Sequence, residues 1–171
     1  DDEDTRVIRS TVVPLVAVMG RDKALAIEAH RLALAWLVDR QAVDADVVDA
    51  VLVTAAHHGD AKLYERFLAE ARRATNRDDR EHLLYALARF RSPALIERTV
   101  QLVAKGAFDS REMVGMGSAI VLAPETRRQA FDSIKTHYDA LVARMPRPST
   151  ARLIYVGTSL CDEAAQAEVA G

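Results

Sequence analysis

The sequence predicts an all-α fold built of stacked helix pairs, and three observations lead there. Half of the 171 residues are apolar, only 5% are aromatic, and Gly and Pro number 7 and 5. A chain rich in Ala, Leu and Val with few backbone breakers favours helices. Turn and cap signals recur at even intervals. One set is Gly20-Arg-Asp22, Gly59-Asp60, Arg91-Ser-Pro93 and Ala123-Pro-Glu125; another is Asp44, Asn76-Arg-Asp78, Ser110 and Ser149. No strand pattern competes. The β-branched runs Val47-Val48 and Val51 to Val53 lie within helical spacing, among Asp46 and Asp49, so an amphipathic helix is the simpler reading.

Within each set the signals stand about 31–39 residues apart, the range of helix-pair repeats of the HEAT/ARM-like type. Each repeat is then helix, short turn, helix, with the pairs stacked antiparallel into a superhelix. The expected helices run Thr5–Met19, Asp22–Asp39, Asp44–His57, Ala61–Ala74, Arg77–Phe90, Pro93–Lys105, Ser110–Leu122, Pro124–Arg144, Thr150–Thr158 and Glu163–Val169.

The fifth and sixth form the best-defined hairpin. Leu83, Leu84, Leu87 and Phe90 share one face. Ser92 stands where it can cap the next helix, and Pro93 takes the first helical position, where a missing N–H is harmless. Leu95, Ile96, Thr99, Leu102 and Val103 rebuild an apolar face. In the seventh, Val114-Gly-Met-Gly-Ser-Ala-Ile120 carries two glycines, each costing about 1 kcal/mol against alanine. A kinked or interrupted helix near Gly115–Gly117, or a close backbone approach, is expected there. In the eighth, Phe131, Ile134, Tyr138, Leu141, Val142 and Met145 advance by threes and fours as one apolar stripe, with Asp132, Lys135, Thr136 and Asp139 off it. Pro146-Arg-Pro148 then forces a turn. The last helix stops without a polar tail, and a repeat array needs a polar terminal cap. That reads as one helical-repeat domain over 1–171 cut from a larger chain.

Charge and cysteine usage narrow the function. A net charge of −2 with both signs interspersed provides neither a phosphate-neutralising surface nor a polybasic membrane anchor. The single cysteine, Cys161, cannot form an intrachain disulfide and reads as a reduced, buried thiol. No run of about 18 apolar residues is present, and the acidic Asp1-Asp-Glu-Asp4 is unlike a signal peptide.

Catalytic motifs are missing. A zinc peptidase helix needs H-E-x-x-H, two histidines one turn apart with a glutamate base between them. None of the five histidines, His30, His57, His58, His82 and His137, is followed by glutamate. Adjacent helical residues point about 100° apart, so His57-His58 is a poor chelate and reads as a helix C-cap suited to an imidazolium. Cys161 has no activating context, Ser118 lies outside a G-x-S-x-G elbow, and Gly115/Gly117 lack the flanking strand and Lys-Ser/Thr of a phosphate loop. Arg72-Arg73, Arg77 to Arg80 and Arg127-Arg128 read as solvated faces with partners such as Glu70 and Glu81. Arg89 and Arg91, at a helix end and turn, either compensate the dipole or meet a peptide carboxylate in a cavity.

Several segments, in order along the chain, resemble one family. They are Leu15 to Gly20 with Leu32-Ala-Leu-Ala-Trp-Leu37, Val53-Thr-Ala-Ala-His-His-Gly-Asp60, and Arg80-Glu-His-Leu-Leu-Tyr-Ala-Leu-Ala-Arg-Phe-Arg-Ser-Pro-Ala-Leu95. Ala123-Pro-Glu-Thr-Arg127, Ile134-Lys-Thr-His-Tyr-Asp-Ala-Leu141 and Ser159-Leu-Cys-Asp162 follow. Together they resemble the helical C-terminal domain of the aminopeptidase N-like zinc aminopeptidases, the group that includes the endoplasmic-reticulum antigen-trimming enzymes. His137-Tyr138 departs from the family's Asn-Trp, Gly115-Met-Gly is unusual, and the family's terminal Phe-Phe is missing. The resemblance implies a right-handed helical bowl that packs on a zinc-bearing catalytic domain of the same parent chain, closes its chamber and contacts the distal part of a peptide substrate. It implies no cofactor in this segment, with the zinc and its base on the catalytic domain. Tyr85, Arg89 and Arg91 are the candidate substrate-facing residues. The competing expectation is a free-standing HEAT-like scaffold that binds a partner protein in its groove.

Overall fold

The computed structural model describes residues 22–109 and 126–145 continuously, and positions 8, 12, 16, 112, 116, 119, 120, 150, 160, 164, 167 and 168 singly. Among the described residues, helices are the only regular structure. The expected first, seventh, ninth and tenth helices, and the residues Gly115, Gly117, Ser118 and Cys161, lie wholly or largely outside them. The chain divides into two compact units, Asp1–Arg91 and Ser92–Gly171.

In the first unit, helix α1 spans Lys23–Val38 and is opened by Asp22, whose carboxylate accepts from the amides of Ala24 at 2.8 Å and Leu25 at 3.0 Å. Such a cap satisfies amides that have no intrahelical partner. Asp39 ends α1 in an extended conformation and accepts from Gln41 N–H at 2.9 Å, starting a 3₁₀ turn over Arg40–Ala42. A second 3₁₀ turn covers Ala45–Val47, and α2 spans Val48–His57. The expected start at Asp44 is therefore corrected. Asp44 makes no side-chain cap, and β-branched Val47 sits at φ −120°, ψ 2°, outside the helical basin.

Helix α3 spans Ala61–Arg73 behind the Asp60 cap, which accepts from Leu63 N–H at 2.9 Å. Leu63, Tyr64, Phe67, Leu68 and Ala71 are its buried stripe. Helix α4, Arg77–Leu87, is capped by Asn76 and carries Asp78 and Asp79 in its first turn, where carboxylates suit the dipole. It stops three residues before the expected Phe90. Helix α1 packs on α2, α3 on α4, and α2 on α4. The last pair runs parallel. Asp49 near the start of α2 meets His82 at the middle of α4, and His57 at the end of α2 meets Arg91 just past α4. Seven of the ten α2 residues are buried, largely small ones, so α2 is the central rod of this unit.

Aromatic side chains close the α3–α4 side. Phe90 packs edge-on against Tyr64, with ring centroids 5.1 Å apart, and against Phe67 at 6.0 Å. Gly59 in the α2–α3 turn is required by close approach. A Cβ there would lie 2.7 Å from Phe90 Cε1, 2.8 Å from the Ala55 carbonyl oxygen and 3.0 Å from Leu63 Cδ2.

In the second unit, α5 spans Pro93–Ala104 with Pro93 in its first turn as expected. Ser92 occupies the N-cap, but its side chain makes no capping bond; its carbonyl accepts from Leu95 and Ile96, both at 2.9 Å. The C-terminus closes as a Schellman motif. Gly106, at φ 66°, donates to the Val103 carbonyl, and Ala107 donates to the Leu102 carbonyl.

The expected single helix Pro124–Arg144 is two among the described residues, α6 over Arg127–Thr136 and α7 over Tyr138–Arg144. Both pack on α5. The junction residue His137 sits at φ −106°, ψ 14°, while its ring is held by Glu97 of α5 at 2.7 Å. Thr136 Oγ1 bonds back to the Asp132 carbonyl at 2.8 Å, a contact that bends helices. The kink also breaks the expected apolar stripe. Ile134 and Leu141 are buried, whereas Tyr138 and Val142 are exposed.

Candidate functional site

Tyr85 and Arg89 lie one turn apart at the end of α4, so their side chains meet on one face. The Arg89 guanidinium stands 4.7 Å from the Tyr85 ring centroid and donates through Nη2 to the Tyr85 hydroxyl. Arg89 Nε is buried and makes no hydrogen bond among the described residues. A donor left in that state has lost its water without gaining a partner.

Arg91 is engaged elsewhere. Its Nη1 lies 2.8 Å from His57 Nε2. A guanidinium can only donate, so Nε2 accepts and His57 is neutral in this pair, its proton on Nδ1. Through this bond Arg91 brings a cation to the last residue of α2, the end of a helix that favours positive charge. His58 is the C-cap residue, and its ring packs edge-on against His57 at 4.7 Å.

Sequence reasoning missed a polar hub in the same unit. Arg40 Nη1 donates to the Trp36 carbonyl at 2.5 Å, Nη2 to Glu70 of α3 at 3.3 Å, and Nε to Asp79 of α4 at 3.2 Å. Its guanidinium also lies 4.1 Å from the Trp36 ring centroid. The opposite edge of this cluster is His82, 2.7 Å from Asp49 and edge-on to Trp36 at 6.4 Å. The Asp49 hydrogen bond raises the His82 pKa above the ordinary 6.5, against the opposing effect of burial; Asp49, Asp79 and Asp78 add smaller attractions. No signal in spacing or composition marks Arg40, because its partners lie 30 and 39 residues away.

The second unit holds another cluster, also unforeseen. Glu97 accepts from Ser133 Oγ at 2.5 Å, His137 Nε2 at 2.7 Å and Gln101 Nε2 at 2.7 Å. Serine, histidine and a carboxylate suggest hydrolytic chemistry, but the order is wrong for it. The carboxylate stands between the other two, and serine donates to it rather than to histidine. The Ser133 hydrogen bond, then those of His137 and Gln101, hold the Glu97 pKa down to about 2, with burial opposing. So acidic a group is a poor general base near neutrality. The cluster ties α5 to the α6–α7 kink.

That tie has a pH signature. A carboxyl whose folded pKa is depressed stabilises above its unfolded value near 4.5 and loses the contribution as pH falls toward 2. Glu97→Gln is therefore expected to flatten the acid limb of a stability profile between those values. The loss at neutral pH is expected to be about 1 kcal/mol, discounted because the side chain is partly exposed. Urea unfolding at pH 7, 4 and 3 checks it, and equal losses at all three would rule the tie out.

Arg72, Arg73, Arg77 and Arg128 are exposed as expected, whereas Arg80 and Arg127 are half-buried. Arg73 pairs with Glu70 at 3.2 Å, and Arg128 with Asp132 at 2.9 Å and Glu168 at 2.7 Å. Arg80 Nη1 reaches the Ala74 carbonyl at the end of α3 at 2.6 Å. Among the described residues, no three His, Cys, Asp or Glu side chains gather as metal ligands, and no helix is long and apolar enough to cross a membrane.

No curated protein matches the chain. A family model does: the ERAP1-like C-terminal domain, over residues 1–170. With all but one residue of this helical chain inside that match, the protein belongs to the family of ERAP1-like C-terminal domains.

Proposed function

We propose that this chain is the non-catalytic C-terminal domain of a zinc aminopeptidase, one helical-repeat domain that closes the chamber of its catalytic partner and helps position peptides. The observation that carries the reading is the family match over residues 1–170. The zinc, its ligands and the general base then belong to another domain of the parent chain. The partners are that domain and the peptide.

A stacked array of HEAT-like pairs is the architecture that accompanies this reading. Parallel α2 and α4 support it, because their two cross-links join residues 33 and 34 positions apart. That offset is one repeat of such an array. Gating by such a domain acts through exclusion of water and orientation of substrate, not through bond making.

Arg89 is the best substrate-facing candidate of the three. It keeps a buried Nε donor beside the Tyr85 hydroxyl, and a carboxylate can take both an Nε and an Nη bond from one guanidinium. Arg91 is already bonded to His57 and would have to exchange that partner.

The experiment is chelator-sensitive peptidase activity of the parent chain beside this segment. The parent is expected to cleave aminoacyl-coumarins until zinc is removed, and the segment to be inert. In the parent, Arg89→Ala is expected to lower kcat/KM for free-carboxylate peptides roughly 10- to 100-fold, the worth of a charged hydrogen bond. Cleavage of aminoacyl-coumarins should change little. A parent without zinc-dependent activity would overturn the aminopeptidase reading in favour of a binding scaffold. Equal losses on both substrates would remove Arg89 from the peptide site.

A further inference from the structure

We propose that His82 is a proton-operated latch on the start of α2, holding that helix's first turn to α4 when protonated and releasing it to fray when neutral. The inference stands on the surroundings of this one ring and is independent of the proposed function.

The start of α2 differs from the other described helix entries of the first unit. Helices α1, α3 and α4 open on side-chain caps from Asp22, Asp60 and Asn76. Helix α2 opens on Val47, which provides no such cap, and the chain reaches it through the 3₁₀ turn Ala45–Val47, where Asp44 makes none either. A first turn without a cap depends on other contacts for its order. Here Asp49, in that first turn, reaches across to α4, with a carboxylate oxygen 2.7 Å from His82 Nδ1.

A carboxylate only accepts, so Nδ1 donates to Asp49 in either charge state of the ring. What protonation adds is charge, and the surroundings give that charge one sign. Asp49 faces the ring from α2, Asp78 and Asp79 lie on its own helix, and all three attract an imidazolium. Asp46, in the turn before α2, and Glu81, beside His82 in the chain, are further exposed anions. From α1, Trp36 packs against the ring with the two planes 83° apart. Arg40, the cation on the Trp36 ring, is held by Glu70 of α3 and by Asp79. Arg80 is turned to the Ala74 carbonyl.

The Asp49 hydrogen bond, opposed by burial, raises the His82 pKa above the ordinary 6.5. The contribution of the imidazolium is therefore complete below 6.5 and is lost as pH rises through the raised value. Acidification closes the latch and alkaline pH opens it. Asp49 is more than half exposed, so water screens the tie and the effect stays small and local. Val48 and Ala50 are buried in the same turn, so the rest of α2 remains docked when the latch is open.

The test is histidine-ring and backbone-amide NMR of the 171-residue chain, titrated from pH 5.5 to pH 9, with amide hydrogen exchange measured at both ends of the range. Emission of Trp36, the single tryptophan, is followed alongside. A protonated imidazole beside an indole quenches its emission, so Trp36 is expected to brighten as His82 loses its proton. Over the same step, exchange of residues 48–51, corrected for intrinsic rates, becomes about two- to fivefold easier, the worth of one partly exposed ion pair. Residues 66–70 of α3 are unchanged. His82→Gln keeps a donor without a titrating ring and should remove both changes. Asp49→Asn provides an independent variant, which keeps an acceptor without its charge; there His82 titrates at lower pH and residues 48–51 no longer follow it. The proposal is overturned if exchange at residues 48–51 is the same with His82 protonated and neutral, if its pH step survives in His82→Gln, or if residues 66–70 loosen equally.

Discussion

Phe90→Ala is expected to destabilise the chain by about 3–5 kcal/mol, the usual cost of emptying a buried phenylalanine site. Phe90 is 2% exposed. Its ring is the keystone of an aromatic group with Tyr64 and Phe67, both fully buried. Edge-on pairs of this kind add about 0.5–1.5 kcal/mol beyond area burial. The cavity is hard to fill, because both neighbours are anchored on α3 and Gly59 has no side chain to move in. Urea unfolding with a two-state fit measures the loss, and a deficit below about 1 kcal/mol would show that the site collapses around the missing ring. A chain of this size is expected to lose about 2–4 °C of melting temperature for each kcal/mol.

Gly59→Ala is the second large effect, expected to cost about 1–3 kcal/mol or more. The added methyl would stand 2.7 Å from Phe90 Cε1 and 2.8 Å from the Ala55 carbonyl oxygen. The ring can retreat a little; the carbonyl, fixed by α2, cannot. Shared space makes the two substitutions non-additive. In the Gly59→Ala, Phe90→Ala double variant the methyl enters the vacated ring position, so the combined loss should fall short of the sum by about 0.5–3 kcal/mol. Relief is incomplete because the Ala55 clash persists. Strict additivity would show that the two residues do not share the site.

Much of the described fold could be read from local chemistry. Asp22, Asp60 and Asn76 are caps in sequence and in structure, and the apolar face read over Leu83, Leu84, Leu87 and Phe90 is buried as its spacing implies. Errors arose where a distant partner overrode a local pattern. The residues around His137 continue a helical spacing, but Glu97, forty positions earlier, pulls the ring across and kinks the helix. Ser92 reads as a side-chain cap, yet only its backbone performs that task. The candidate site was legible only in part. Tyr85 and Arg89 are one turn apart, so their contact follows from helix geometry. The pairing of Arg91 with His57 depends on how α2 and α4 are stacked, and nothing in the immediate sequence of either residue specifies it.

Arg40 has a consequence for how the first unit opens. One guanidinium holds the end of α1 to both α3 and α4 through partners thirty or more positions away. These links cannot form until the later helices have docked, so they close long loops late in folding. Once made, they join α1 to the motions of its neighbours. A helix that would otherwise fray as an outer element is then expected to exchange its Trp36 to Asp39 amides only when α3 and α4 also separate, making the unit one cooperative foldon instead of two independent hairpins.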